Sequence, residues 1–231
     1  MLKNTLINRA ATQKLAKTLG KLNAEVVYVG GAMVSFYIDD VTADDVRPTK
    51  DLDITLEIHT LGELESLREA LIKKGLRQSS EDKVICRFRL DDIKVNVMST
   101  KEVGWAPANR WFAPGFERRY QLMLDEMEIS LMPLPYFLAS KFDAFFNRGS
   151  KDPRTSHDFE NIVYILTYTS DLTQKIMEAE DAVRNYLKES FGKIESNKLY
   201  QEAIVGNLYA DQLDEAFEMI MAKVSTITNG I

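Results

Sequence analysis

Leu2, Leu6, Ile7, Ala11, Leu15, Leu19 and Leu22 recur at three- and four-residue steps, so the N-terminal stretch is predicted helical, with Gly20 marking its end. The β-branched and aromatic run Val26–Val29 reads as a short strand, stopped by Gly30-Gly31, and Ala32–Ile38 reads as a short helix leaving that turn. Asp39–Pro48 is polar and acidic, a loop by composition. Asp51–Ile58 alternates like a strand, whereas Gly62–Lys74 has helical spacing and ends at Gly75. Val84–Leu90 and Ile93–Met98 form a predicted hairpin around Asp91-Asp92, and Leu122–Leu124 with Met127–Met132 form a second strand pair. The less regular segment Ser99–Gly115 between them holds both tryptophans.

After Pro133 and Pro135 the pattern changes. Tyr136–Asn147, Ser156–Tyr168, Leu172–Phe191, Lys198–Val205 and Ala210–Val224 all carry helical spacing, and no strand signal of similar strength accompanies them. The expected class is therefore α+β. Residues 1–133 should form a mixed sheet with flanking helices, and residues 134–231 a helical domain. No internal repeat or low-complexity segment interrupts either part.

Composition changes this picture little. A chain of 231 residues, 45% hydrophobic and 28% charged, has the make-up of an ordinary globular protein with a sizeable core. No apolar run approaches the ~18 residues of a membrane span. The N-terminus shows no signal-peptide core or cleavage site, so the expected location is the cytoplasm, with no membrane partner. Cys86 is the single cysteine, which excludes an intrachain disulfide and a cysteine zinc site; it is expected to be a buried small hydrophobe. His59 and His157 lie far apart in sequence and offer no His-rich metal site. The formal net charge of −6 argues against indiscriminate nucleic-acid binding.

Candidate chemistry concentrates first at Val29-Gly30-Gly31 and Lys50-Asp51-Leu52-Asp53-Ile54. Glycines lack Cβ and let backbone amides approach a phosphate closely. Asp51 and Asp53 stand at i and i+2 of a predicted strand, so both side chains point to one face. Two hard oxygen ligands converging there suit Mg²⁺, or Mn²⁺ in its place, and such an ion can bridge a nucleoside triphosphate. Lys50 beside the acids suits a site that must tolerate triphosphate charge.

This order of elements resembles the nucleotidyltransferase superfamily of the DNA polymerase β type. That resemblance implies a sheet-based catalytic core and Mg²⁺-dependent transfer of a nucleoside monophosphate from an NTP. The helical part sharpens it: Lys141-Phe142-Asp143, Asn147-Arg148-Gly149 and His157-Asp158-Phe159 are similar to the Lys, Arg and late Asp of the AbiEii/AbiGii toxin-like nucleotidyltransferases. On that resemblance Lys141 is the motif lysine near the nucleotide phosphates, Arg148 the arginine, and Asp158 the late carboxylate of a cleft between the two parts. It covers Val26 to about Leu166; the last ~60 residues match no motif. It further implies an RNA end, such as that of tRNA, or a protein hydroxyl as acceptor, and the toxin role of a type IV toxin–antitoxin pair with an antitoxin partner.

One position departs from the pattern. Many members of the wider superfamily carry a third carboxylate on a later strand, where Ile93-Lys94-Val95-Asn96-Val97 places Asn96. An amide brings no charge and is no general base. Asp158 could substitute, Asp91 or Asp92 could reach the metal, or catalysis could be lost. The last option makes the chain a nucleotide- or RNA-binding protein that keeps the fold. A small-molecule transferase of the antibiotic-modifying kind is a third reading; it shares the first-half motifs but not the Lys141–Asp158 series. Asn109, Arg110, Arg118 and Arg119 are a candidate acceptor surface.

Overall fold

The computed structural model describes residues 3–47, 49, 51–149, 152–208 and 213–230. Helix α1 (Lys3–Leu19) buries Leu15, Ala16 and Leu19, and the chain continues through a 3-10 turn at Gly20–Glu25 into β1 (Val27–Val29). A second 3-10 turn, Gly31–Phe36, stands where Ala32–Ile38 is predicted as a helix. β2 (Asp51–Leu56) precedes α2 (Leu61–Lys73). Thr60 caps α2 by accepting the Glu63 N–H at 3.2 Å, and the Glu63 carboxylate reaches back to the His59 N–H at 2.8 Å. This reciprocal arrangement satisfies donors that a helix start leaves open. Gly75, at φ +93°, turns the chain away at the other end.

β3 (Arg87–Leu90) and β4 (Ile93–Ser99) form the predicted hairpin, and Asp91 takes φ +53° at its corner. β3 begins three residues later than predicted, because Arg87 N–H bonds back to the Val84 carbonyl in a turn. A short helix α3 (Phe112–Glu117) lies in the irregular segment, followed by β5 (Tyr120–Leu124) and β6 (Met127–Leu131), joined at Asp125 with φ +53°. Aspartate tolerates that left-handed corner better than most residues do. The six strands make one mixed sheet in the order β3-β4-β2-β1-β6-β5. Its α+β character, with a helical C-terminal region, is as expected.

The helical part comprises α4 (Leu134–Ala144), α5 (His157–Tyr168), α6 (Leu172–Met177), α7 (Asp181–Ser196), α8 (Lys198–Gly206) and α9 (Leu213–Asn229). Its core is aromatic: Phe142 meets Phe191 edge-on at 5.0 Å, and Phe145 packs against Phe159 at 5.0 Å and Tyr200 at 5.5 Å. Leu172–Phe191, predicted as one helix, is two. Arg184 donates to the carbonyls of Met177 and Ala179, so the end of α6 is closed by a side chain and α7 restarts at Asp181.

Two compact units result. One takes the residues up to Ser35 with Asp44–Pro133; the other takes Phe36–Ala43 with everything from Leu134 on. The segment Phe36–Ala43 is pinned inside the second unit. Asp39 and Asp40 N–H groups bond the Tyr168 carbonyl, Thr169 donates to the Tyr37 carbonyl, and Ser170 donates twice to Asp39. Among the described residues no helix is long and apolar enough to cross a membrane.

Cys86 is 6% exposed, and burial pushes its thiol above the usual cysteine range. Native protein should therefore leave dithionitrobenzoate unreacted over minutes in which the urea-unfolded chain reacts fully. Prompt reaction of the native thiol would contradict this packing.

Candidate functional site

Strand alternation divides the sheet around β2 into an apolar and a charged face. Leu52, Ile54 and Leu56 lie on one side with Phe88, Leu90, Val95 and Val97, all buried. The same alternation turns Asp51 and Asp53 the other way. In the parallel register of β2 with β4, Asp51 stands beside Lys94 and Asp53 beside Asn96; β3 adds Arg89 next to Lys94 and Arg87 next to Asn96. Adjacent positions of this kind bring side chains within reach of each other. The pairing thus lays charged and polar groups across three strands.

They are joined by short contacts. Arg87 Nη2 donates to Asp51 Oδ2 at 3.0 Å, and Arg87 Nε donates to Asn96 Oδ1 at 2.9 Å. Asn96 Nδ2 donates in turn to Asp53 Oδ1 at 2.7 Å. Lys94 Nζ stands 3.9 Å from Asp51 Oδ1. Behind this row, Asp82 accepts two bonds from Arg89, at 2.7 and 2.9 Å, and lies 3.9 Å from Arg87. The Arg89 guanidinium holds the Asp82 carboxyl below the usual carboxylate range.

The glycine corner closes directly on Asp53. β1 runs antiparallel to β2 with Val29 opposite Asp53, and the next residue, Gly30, has φ +78°. A Cβ built there would stand 1.9 Å from Asp53 Oδ2 and 2.8 Å from Asp53 Cβ. Side-chain rotation cannot relieve the second distance. Gly30 is thus required by its conformation and by its neighbour. Gly31 is not among the glycines with positive φ; it opens the 3-10 turn.

Lys141, Arg148 and Asp158 meet within the helical unit. Ser156 caps α5 by accepting the Phe159 N–H at 3.3 Å, which places Asp158 in the first turn, where a carboxylate suits the helix dipole. Asp158 accepts from Lys141 Nζ at 3.3 Å and from Arg148 Nη2 at 3.1 Å. The Lys141 side chain, 8% exposed, also lies 5.7 Å from the Phe137 ring. Arg148 projects from a π-helical turn, Phe145–Gly149, and is mostly exposed. The geometry makes Asp158 the counter-ion of a buried ammonium.

Lys50 lies outside the described residues. Asp91 binds Lys14 at 2.6 Å, and Asp92 stands two residues before Lys94, the position beside Asp51. Arg118 and Arg119 are engaged locally, with Pro114 and Phe116 carbonyls as acceptors. Among the described residues no group of three or more His, Cys, Asp or Glu is placed to hold a metal. Sequence reading missed Arg87 and Lys94. Their signal is the alternation of Arg87 and Arg89 in a strand near Asp51 and Asp53, readable only once the register is known.

No protein-family model matches the sequence, and no curated protein matches it significantly. Among solved structures the chain is similar to an antigenic nucleotidyltransferase-like protein from Paracoccidioides brasiliensis, with TM-score 0.52 and 14% identity over 90% of this chain and 96% of that one. It is also similar to JHP933 from Helicobacter pylori, with TM-score 0.51 and 12% identity over 100% of this chain and 94% of that one. At these identities what is shared is the fold.

Proposed function

We propose that this protein is a nucleotidyltransferase that moves a nucleoside monophosphate from an NTP to a hydroxyl of a macromolecular acceptor. The single observation that carries this reading is the Gly30 corner lying against Asp53, with Asp51 two residues away on the same face. The donor set fits a hard divalent cation: Mg²⁺ takes one or two carboxylates and completes its octahedron with water and phosphate oxygens, so a third acid is not obligatory. Asp51 and Asp53 would hold Mg²⁺, or Mn²⁺, and the ion would neutralise the triphosphate. Backbone N–H groups of the glycine corner and the Lys50 ammonium are proposed to meet the phosphates, and the resemblance to the AbiEii/AbiGii proteins gives Lys141 and Arg148 the same role. The acceptor oxygen bonds to the α-phosphorus, the bond to the bridging oxygen breaks, pyrophosphate leaves with the electron pair, and the acceptor's proton passes to water. Positioning and charge neutralisation supply most of the acceleration.

An RNA end such as that of tRNA, or a protein hydroxyl, as acceptor, and a toxin role with an antitoxin partner, rest on the resemblance to the AbiEii/AbiGii proteins alone. Incubation with each α-labelled NTP, Mg²⁺, total RNA and cell protein should give a labelled product, and Asp53→Ala should abolish it. Equal labelling by that variant would defeat the mechanism.

A second reading, a nucleotide-binding module without turnover, draws on Asn96. Its amide ties Asp53 to Arg87 in place of a third carboxylate. Tight NTP binding by calorimetry with no labelled product from any NTP would favour it.

A further inference from the structure

A divalent ion approaching Asp51 and Asp53 alone meets positive charge beside its ligands. Arg87 Nη2 occupies Asp51 Oδ2 at 3.0 Å and Lys94 stands 3.9 Å from the other oxygen of the same carboxylate. Arg87 is no loose surface charge: its side chain is 16% exposed and lies 3.9 Å from Asp82, which is 6% exposed. Arg87 also sets the amide of Asn96. Because Nε–H needs an acceptor, the amide oxygen faces Arg87, and the NH₂ faces Asp53 at 2.7 Å. The amide so turned offers a donor on the side where a bare cation needs an oxygen.

We infer that Arg87 and Lys94 make this face select the cation–triphosphate complex over the free cation. The inference rests on reading Asp51 and Asp53 as cation ligands. Two carboxylates facing a guanidinium and an ammonium are already close to neutral, so a free divalent ion adds unbalanced positive charge at short range. The complex with a nucleoside triphosphate arrives with net negative charge. Its phosphate oxygens accept from guanidinium as well as a carboxylate does, commonly through two parallel bonds. Arg87 can therefore exchange Asp51 for phosphate and release that carboxylate to the ion in the same event. Nucleotide and metal bind together, and neither Asp51 nor Asp53 is wasted on a free ion.

The test measures Mn²⁺ binding from the paramagnetic signal of the free ion, with wild type, Arg87→Met, Arg87→Lys and Lys94→Met, each shown by circular dichroism to be folded. With MnCl₂ alone, Arg87→Met should bind about tenfold more tightly than wild type, Lys94→Met less so, and Arg87→Lys close to wild type. With the α,β-methylene analogues of the four NTPs present, the order should reverse, wild type binding the Mn²⁺–nucleotide complex more tightly than Arg87→Met. Equal affinity of wild type and Arg87→Met for MnCl₂ alone would overturn the inference. So would Mn²⁺ binding by Arg87→Met that survives a second change, Asp53→Ala. Should Arg87→Met fail to fold, Lys94→Met against wild type carries the same comparison, since Lys94 is not among the buried residues. A Mn²⁺ difference as expected, alongside no transfer from any NTP, would leave this inference standing and remove the transferase reading.

Discussion

Gly30→Ala is expected to slow the proposed nucleotide transfer on the order of 10²-fold and to cost about 3 kcal/mol of stability. Two effects add. An L-residue held at φ +78° costs about 1–2 kcal/mol, and a methyl group forced against Asp53 Cβ from 2.8 Å demands a shift of paired strands, about 1–3 kcal/mol for overpacking. The activity loss follows from the same displacement, because moving a catalytic group by about 1 Å can cost on the order of 10²-fold. Urea melts and the labelling assay measure the two separately. Gly31→Ala is the comparison, expected to be milder on both counts because no left-handed conformation is at stake there. Full turnover by Gly30→Ala would show that the corner has no part in the chemistry.

Asp158→Ala should destabilise the helical unit by about 3 kcal/mol, the usual cost of stranding one member of a buried ion pair. Lys141 would keep its charge beside the Phe137 ring without the carboxylate it now faces. Replacing both partners, Lys141→Met with Asp158→Leu, should recover most of that loss, since neither charge is then buried alone. Arg148→Ala should change stability by less than about 0.5 kcal/mol, because its guanidinium is 73% exposed. Chemical denaturation of the four proteins decides this. A double variant as unstable as Asp158→Ala would rule out stranded charge as the cause. If the double variant is stable yet makes no labelled product, the Lys141–Asp158 pair acts in transfer as well as in packing.

Local pattern carried the fold a long way. Alternation in Asp51–Leu56 was enough to put both acids on one face, and helical spacing located α1, α2, α4 and α5 to within a few residues. What it could not convey is register. Arg87 lies 36 residues from Asp51, and only the pairing of β3 with β4 and of β4 with β2 sets them 3.0 Å apart. The glycine pair shows the same limit. The two residues look alike in sequence, but one faces Asp53 at a left-handed φ and the other begins a turn. The break between α6 and α7 was hidden for a related reason. No glycine or proline marks it, and the group that closes it, Arg184, sits inside the following helix.

The stretch from Phe36 to Ala43 has a practical consequence for anyone dissecting this molecule. Since those eight residues belong with α5 and its surroundings, no single cut of the polypeptide yields two self-sufficient fragments. A piece beginning at Leu134 would lack the strap that satisfies the Tyr168 carbonyl and the Ser170 hydroxyl. A piece ending at Pro133 would carry the same eight residues with nothing to bind. The interval between the glycine corner and the acid pair is therefore an excursion: the chain leaves one unit, fastens itself in the other, and returns in time to lay down β2.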